Sequence, residues 1–275
     1  LGIFLGILLI FILEYTDKSI KSEKEVEHIS GLNTIGRIPM LKDTKDEIIL
    51  RKNINSPEAE AIKIMASNIN YSLGDKKSIG ITSSLKSEGK TILTANIAYA
   101  LSENNKKVLL VDLDFRRPRL ERVFGLKKRE KGILSVLVDN YPVEEAIYEI
   151  KKDLYILPCE KVPQNPTMLL SSKKLEDLLN GLESNFDKIV LDMPPALIVS
   201  DVLVASKAID TFCLVVNPEE STKDSLKLTV KNLMTGNVNL IGTIFNGSTE
   251  KNSDYYYYYH YYYQDDGTGK KKHRK

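Results

Sequence analysis

The chain of 275 residues contains only two cysteines and three histidines, and its charges nearly cancel. Cys159 and Cys213 stand far apart within apolar runs, which argues against a disulfide framework or a cysteine metal site and is typical of a reducing cytoplasm. His28, His260 and His273 lie outside the regularly patterned part of the chain, so a Ser-His-Asp hydrolase lacks its base and a zinc site lacks its ligands. The formal net charge of +2 gives no overall basis for binding nucleic acid.

The sequence begins with an apolar run, Leu1 to Leu13, that contains no polar side chain. A membrane-spanning helix needs about 20 apolar residues, but the chain starts with Leu rather than Met, so we expect the run to be the end of a longer segment. A signal peptide is disfavoured, because no charged region precedes the run and no small-residue cleavage site follows it. Lys18, Lys21 and Lys24 follow closely, and such lysines mark the cytoplasmic side of a membrane helix. Residues 1–14 are therefore predicted to end a transmembrane helix; a buried N-terminal helix is the alternative.

The middle of the chain alternates apolar strands with helical segments. Its apolar runs, from Lys77 onward, are SIGITSS, KVLLVDLD, LYILPC, KIVLDMPP, AIDTFCLVVNP and NLIGTIFNG. Strands this uniformly apolar, separated by segments with helical spacing, predict a mostly parallel sheet covered by helices on both faces. We therefore expect residues 51–250 to form a doubly wound α/β domain whose ligand lies at the carboxyl ends of the strands.

Two flanking segments differ in composition from this domain. Residues 15–50 are polar and charged, and we expect a cytoplasmic linker with one or two short elements before a helix that begins at Ser56–Glu58. At the other end, Tyr255 to Tyr263 reads YYYYYHYYY and Lys270 to Lys275 reads KKKHRK. Because such low-complexity sequence cannot bury a core, residues 251–275 are predicted to be a disordered tail.

The segment SLKSEGKT, Ser84 to Thr91, lies between a predicted strand and a predicted helix. A phosphate-binding loop needs inward backbone N–H groups, a lysine that reaches the β- and γ-phosphates, and a hydroxyl on Mg²⁺. Gly89, Lys90 and Thr91 supply the last three positions of this pattern, whereas Ser84 occupies the first position, where glycine is usual. The residues expected to bind the nucleotide are Ser84, Ser87, Glu88, Gly89, Lys90, Thr91 and Ile92.

Acidic residues follow two of the predicted strands at their carboxyl ends. Asp112 and Asp114 end VLLVDLD, and Asp192 has the same position in KIVLD. A magnesium nucleotide needs hard oxygen ligands, usually one or two carboxylates together with phosphates and water. These acids meet that need if the strands are neighbours; otherwise each is a solvated aspartate at a strand end.

Together, SLKSEGKT, LLVDLDFRRPRL and IVLDMPP resemble the bacterial tyrosine kinases of capsule and exopolysaccharide assembly. The stretches FGLKKREKGILSVL, LYILPCEKVPQNPTMLLSS and IVSDVLVASKAID agree with the same family. The start of the chain, ILEYTDKSIKSEKEVEHISGLNTIGRIP, resembles the end of the chain-length-regulator type of membrane activator that is fused ahead of such kinases. The resemblance covers nearly the whole chain, and it implies a P-loop NTPase type of fold and an ATP-dependent protein-tyrosine kinase.

The resemblance also implies a role for each motif residue. Lys90 would contact the β- and γ-phosphates, Thr91, Asp112 and Asp192 would hold Mg²⁺, and Asp114 would orient and deprotonate the attacking tyrosine. Positioning and charge neutralisation would carry most of the rate. The acceptors would be the tail tyrosines of a neighbouring subunit, namely Tyr255, Tyr256, Tyr257, Tyr258, Tyr259, Tyr261, Tyr262 and Tyr263. Their phosphates, each of about −1.5 to −2 charges, would repel one another and dissolve an assembly of subunits.

The implied partners are ATP, further copies of the chain, and the polysaccharide polymerisation and export machinery at the inner membrane. One departure concerns self-assembly. The family's oligomerisation helix carries Glu-x-x-Arg-x-x-Arg, where this chain has Glu60, Lys63 and Ala66. Lysine lacks the bidentate fork of arginine, and alanine has no charge, so the basis for a ring of subunits is altered. The basic end of the tail is either solvated or in contact with anionic lipid.

Two other functions remain open from the sequence. A partitioning or division-site ATPase of the same P-loop branch carries a signature lysine five residues before the phosphate-loop lysine. This chain has Leu85 there, with Lys86 one place off. A catalytically weak, nucleotide-gated scaffold of a polysaccharide chain-length regulator is suggested by Ser84 and by the altered helix. Formation of phosphotyrosine separates an active kinase from both alternatives, whereas ATP binding does not.

Overall fold

The computed structural model describes residues 2, 4, 18–39, 47–104 and 106–248. The apolar run at the start of the chain, apart from Gly2 and Phe4, and the tyrosine-rich tail lie outside the described residues. No helix in the described part of the chain combines the length and the apolar character needed to cross a bilayer.

Helices separate most of the strands in the described ranges. The helices are α1 Glu23–Ser30, α2 Ile49–Lys52, α3 Pro57–Leu73, α4 Lys90–Glu103, α5 Leu120–Val123, α6 Ile133–Asp139, α7 Val143–Ala146, α8 Pro166–Leu170, α9 Lys173–Leu182, α10 Asp201–Ala205 and α11 Lys223–Thr235. The strands are β1 Thr34–Pro39, β2 Ser78–Ser83, β3 Val108–Asp112, β4 Tyr148–Lys151, β5 Leu154–Leu157, β6 Lys188–Asp192, β7 Thr211–Val216 and β8 Leu240–Ser248.

One sheet contains these strands in the order β1-β8-β7-β2-β6-β3-β5-β4. Neighbouring strands are parallel, except that β4 pairs with β5 in the antiparallel direction at one edge. The central strands β2, β3, β6 and β7 are buried along their whole length. Strands covered on both faces must be apolar throughout, which is why the uniform apolar runs predicted them. The expected α/β fold with a mostly parallel sheet is confirmed.

The two largest apolar cores lie on the two faces of the sheet. On one face, α3 and α4 supply side chains such as Ile62, Met65 and Leu101. On the other face, α6 and α9 supply side chains such as Leu134 and Leu179. The helix expected to begin at Ser56–Glu58 is α3, and the Ser56 hydroxyl accepts a hydrogen bond from the Ala59 amide as its N-cap.

The segment expected to be a linker contributes two elements to this domain. Strand β1 pairs with β8 in parallel at the edge of the sheet. Helix α1 packs against α11, and Ile20 and Val26 are buried there beside Leu226 and Val230. The amide of Lys223 donates to the carbonyl of Lys18, so backbone hydrogen bonding also joins this segment to the start of α11.

Candidate active site

The loop between β2 and α4 has the backbone of a phosphate cradle. Gly89 has a φ of +86°, which favours glycine, and a Cβ there would lie 2.2 Å from the Asn246 side-chain nitrogen, so any other residue would displace the Asn246 amide. The same Asn246 nitrogen donates to the Glu88 carbonyl at 2.9 Å. Helix α4 begins at the next residue, Lys90, and its N-terminal N–H groups and dipole favour an anion at this point.

Lys90 is the positive centre of the site. Its Nζ lies 2.6 Å from Asp114 Oδ2 and 3.6 Å from Asp192 Oδ1, and the residue is 9% exposed. Burial by itself lowers the pKa of a lysine, but the charges of Asp192 and Asp114 outweigh burial and raise the pKa of Lys90 above its ordinary value. The ammonium group is therefore charged at neutral pH and is held between two carboxylates.

Asp192 joins the end of β6 to the first turns of α4. Thr91 Oγ1 donates to Asp192 Oδ2 at 2.8 Å, and Thr94 Oγ1 donates to Asp192 Oδ1 at 3.2 Å. Asp192 is fully buried, and burial raises its pKa even though Lys90 and the two threonines favour the charged form. A hydroxyl and a carboxylate 2.8 Å apart provide the hard oxygen atoms that Mg²⁺ prefers.

Asp112 and Asp114 lie on either side of the turn that follows β3. Asp112 is paired with Asp192 in the sheet register, which places the two strand-end acids next to each other. Its oxygens accept hydrogen bonds from the backbone amides of Asp114, Arg119 and Leu120. Burial, followed by the nearby charge of Asp192, raises the pKa of Asp112 well above its ordinary value. Because its oxygens hold these backbone amides, the Asp112 carboxyl fixes the turn that positions Asp114.

A cleft of 520 Å³ opens above these residues. Of the residues expected to bind nucleotide, Ser87, Gly89, Lys90, Thr91 and Ile92 line it, together with Asp114. Ser84 and Glu88 are buried beneath the loop instead. Glu88 Oε2 accepts from the Leu85 amide at 2.7 Å and Oε1 accepts from the Ser221 hydroxyl, so Glu88 braces the loop against the segment before α11.

The rim of the cleft is formed by residues for which the sequence predicted no role in binding or catalysis. They comprise four cations and an apolar wall, namely Lys86, Arg116, Arg117, Arg119, Pro194, Pro195, Ile198 and Val199. Arg116 makes a bidentate pair with fully buried Asp201, with Nε to Oδ2 at 2.7 Å and Nη2 to Oδ1 at 3.0 Å. In the sequence, the run FRRPR directly after the strand-end acids could have indicated these cations. Basic residues at the carboxyl edge of a parallel sheet lie where a phosphate ligand binds.

The arrangement fits a magnesium nucleotide. The described residues contain no group of three or more His, Cys, Asp or Glu side chains that could hold a metal by themselves. Mg²⁺ usually takes one or two carboxylates and completes its octahedron with substrate phosphates and water. Thr91 and Asp192 supply such a partial set beside a buried lysine, and the Ser84 hydroxyl is buried under the loop without a hydrogen-bond partner among the described residues.

The chain is similar in sequence and in fold to known proteins. Residues 76–240 match the AAA domain family. The chain is 33% identical to the tyrosine-protein kinase YwqD of Bacillus subtilis, over 74% of this chain and 86% of that protein. Among solved structures, the chimerical protein CapA2B2 superimposes with a TM-score of 0.76 at 29% identity, over 82% of this chain and 99% of that chain.

The chain matches only part of one longer relative. The chain is 27% identical to the putative tyrosine-protein kinase EpsB of Ralstonia solanacearum, over 90% of this chain. That match covers 35% of EpsB, so the chain spans about a third of the length of this curated relative.

Proposed function

Since this chain belongs to the bacterial tyrosine-protein kinases and carries their AAA domain at residues 76–240, we propose that it transfers the γ-phosphoryl group of ATP to tyrosine side chains. The observation that carries the proposal is the closed set formed by Lys90, Thr91, Asp114 and Asp192 at the mouth of the phosphate loop. This set combines a buried cation for phosphate, oxygen ligands for Mg²⁺ and a carboxylate that faces the cleft.

In the proposed reaction, Lys90 exchanges Asp114 for the β- and γ-phosphates, which frees the Asp114 carboxylate. The tyrosine oxygen forms a bond to the γ-phosphorus, the bond from that phosphorus to the β,γ-bridging oxygen breaks, and ADP leaves. Asp114 takes the proton of the tyrosine hydroxyl. Thr91, Asp192 and Asp112 would hold Mg²⁺, which would supply positive charge beside the phosphate oxygens. The amide of Arg117 donates to Asp114 Oδ1 at 3.1 Å and keeps the carboxyl aimed while its other oxygen is in use.

The acceptors in this proposal are the tyrosines of the cluster Tyr255 to Tyr263, supplied by a second copy of the chain. The helix that would carry self-association has an internal partner for its lysine: Lys63 Nζ donates to the carbonyl of Ile54 at 2.9 Å and lies 3.4 Å from Glu60. Ala66 is fully buried. Contacts other than a Glu-Arg-Arg fork are therefore expected to hold the copies together.

The names of the relatives and the composition of the first segment support a wider proposal. We place the domain at the cytoplasmic face of the plasma membrane, anchored by residues 1–14. There it regulates the polymerisation and export of a capsular or extracellular polysaccharide by cycles of tail phosphorylation. The accumulated negative charge on the tail is the physical signal in that cycle, because neighbouring phosphates repel each other and any acidic surface.

The test is intact-mass and peptide mass spectrometry of the full chain after incubation with Mg-ATP, beside Lys90→Ala and a matched Lys127→Ala variant. Lys127 is an exposed lysine that lines neither the cleft nor the loop. We expect phosphate on the Tyr255 to Tyr263 peptide in the wild type and in Lys127→Ala, and none in Lys90→Ala. ATP binding by a wild-type protein that stays unmodified, both in detergent and in vesicles, would overturn the kinase and favour a nucleotide-gated scaffold.

A further inference from the structure

A second cavity, of 440 Å³, lies beside the nucleotide cleft at the carboxyl ends of β3 and β5. Cations from the two strand ends surround it, namely Arg119, Arg122, Lys128 and Lys161. Asp112 forms part of its floor, and Arg119 lines both this cavity and the nucleotide cleft. The two cavities are therefore adjacent and are separated by the turn that carries Asp112 and Asp114.

The charge of this basic cavity is poorly neutralised by the protein. Within the described residues, Arg122, Lys128 and Lys161 make no ion pair shorter than 4.0 Å, and all three are exposed. The one glutamate in the wall, Glu121, accepts a hydrogen bond from the Arg129 amide at 2.6 Å, and burial raises its pKa despite the nearby Lys128. The carboxyl of Asp112 is likewise occupied by backbone amides. A net positive cavity of this size fits an anionic group.

The walls of the basic cavity also offer apolar surface for a ring. Leu126 and Val162 line it, and Val162 is 61% exposed. A phosphotyrosine side chain combines an aromatic ring with a phosphate of about −1.5 to −2 charges and three acceptor oxygens. The forks of Arg119 and Arg122 suit the phosphate, and the lysines add point charges. Aliphatic phosphates and simple carboxylates would leave the apolar walls without a partner.

The tyrosine cluster repeats the same side chain along one face of an extended segment. In an extended segment, residues i and i+2 point to the same face and lie about 7 Å apart. Tyrosine occupies each alternate position Tyr255, Tyr257, Tyr259, Tyr261 and Tyr263. A segment that presents one of these tyrosines to Asp114 therefore carries another on the same face two residues away, and the basic cavity adjoins the cleft through their shared lining residue Arg119.

We propose that the basic cavity is a phosphotyrosine-binding subsite, occupied by an already modified tyrosine of the Tyr255 to Tyr263 cluster of a second copy while the next tyrosine lies at Asp114. The inference rests on the proposed kinase function and adds a consequence to it. The first phosphate on the cluster strengthens binding of the same segment, so the second modification is favoured once the first has been made.

Binding is tested first, because it needs no catalysis. The peptide SDYYYYYHYYYQ with one phosphotyrosine is titrated into the full chain whose own cluster is changed to phenylalanine, with the unphosphorylated peptide in parallel. We expect the phosphopeptide to bind about tenfold or more tightly, since hydrogen bonds to charged groups are the strong ones. Phenyl phosphate should compete better than inorganic phosphate at equal concentration. Equal binding of the two peptides would overturn the subsite and leave the kinase proposal intact.

The double variant Arg122→Ala/Lys161→Ala removes two cations of the basic cavity, and Lys127→Ala/Lys152→Ala removes two exposed lysines outside it. Thermal unfolding is measured first to check that both variants fold. The preference for the phosphopeptide should disappear in the first variant and persist in the second. In time courses with Mg-ATP, the ratio of doubly to singly phosphorylated chains should fall in the first variant alone. Identical ratios in both variants would contradict the proposal, whatever their total phosphorylation.

Discussion

The floor of the active site and its rim differ in how they are held. On the floor, Lys90, Asp114 and Asp192 are nearly inaccessible to solvent and bond to one another. At the rim, Lys86 and Arg117 are exposed, and no ion pair within 4.0 Å involves their side chains in the described ranges. The floor is thus organised by the chain itself, as is the rim residue Arg116 through its pair with Asp201, whereas Lys86 and Arg117 keep their charge for an external partner.

This difference separates two kinds of consequence. A buried ion that loses its partner costs about 3–5 kcal/mol of stability, so floor substitutions affect both folding and chemistry. An exposed cation contributes about 0.2–1 kcal/mol through any one partner, so substitutions of Lys86 or Arg117 affect ligand affinity and leave the fold unchanged. Experiments that measure stability and kinetics together can therefore test which residues belong to the floor and which to the rim.

Asp114→Asn should have the largest effect on rate. Asparagine keeps the shape of the side chain but cannot accept the tyrosine proton, and a positioned general base contributes about 10²–10⁴-fold. We expect kcat for tail phosphorylation to fall by that factor, with little change in the KM for ATP. Steady-state kinetics with tail peptide and ATP measure both constants. A variant that loses ATP affinity and retains kcat would assign Asp114 to nucleotide binding.

Glu88→Gln tests whether the buried carboxyl beneath the phosphate loop makes the stability of the protein depend on pH. Burial, opposed by hydrogen bonds from Ser221 and the Leu85 amide, raises the pKa of Glu88 to about 7. The folded state therefore holds a proton that the unfolded state, with a pKa of about 4.5, has released. The stability that this proton provides is fully present below about pH 4.5 and is lost as the pH rises through about 7.

Urea unfolding at about pH 5 and about pH 8 measures this loss. The wild type should lose up to about 3 kcal/mol more than Glu88→Gln between these conditions. Glutamine can accept from the Leu85 amide and donate to Ser221, so the variant keeps both contacts. Asp112 and Asp192 titrate in both proteins, and their contributions cancel in the difference. Parallel pH profiles would mean that Glu88 is charged and solvated in the folded protein.

The fold was predictable where strands are covered on both faces and less so at the edges. Strands β2, β3, β6 and β7 form continuous apolar runs because neither face meets water. Strand β4 is partly exposed, and β1 reads TIGRIP with a half-buried pattern, so neither gives the same signal. The N-terminal strand β1 reaches the sheet through pairing with β8, more than 200 residues away, and local composition carries no trace of that contact.

In the site, most residues predicted from motifs lie at the ends of the predicted elements, although Ser84 and Glu88 lie beneath the loop and do not line the cleft. Lys90 and Thr91 start a helix after a strand, and Asp112, Asp114 and Asp192 end two neighbouring strands. The supporting contacts were not predictable in this way. Arg116 binds Asp201, 85 positions away, and Glu88 binds Ser221, 133 positions away. Such partners become visible only when the crossovers of the sheet bring distant loops to the same edge.

Arg117→Ala gives the smallest expected effect and the sharpest test of the rim. The side chain of Arg117 is exposed and lines the nucleotide cleft, while its backbone amide, which supports Asp114, is unaffected by the substitution. We expect the free energy of unfolding to change by less than about 0.5 kcal/mol. The KM for ATP should rise about two- to fivefold, and the difference should shrink at high ionic strength. Lys127→Ala, an equally exposed cation outside the cleft, should change neither constant. A loss of several kcal/mol of stability in Arg117→Ala would contradict the assignment of Arg117 to the rim. Only a side chain that organises the folded site could cost so much stability when it is removed.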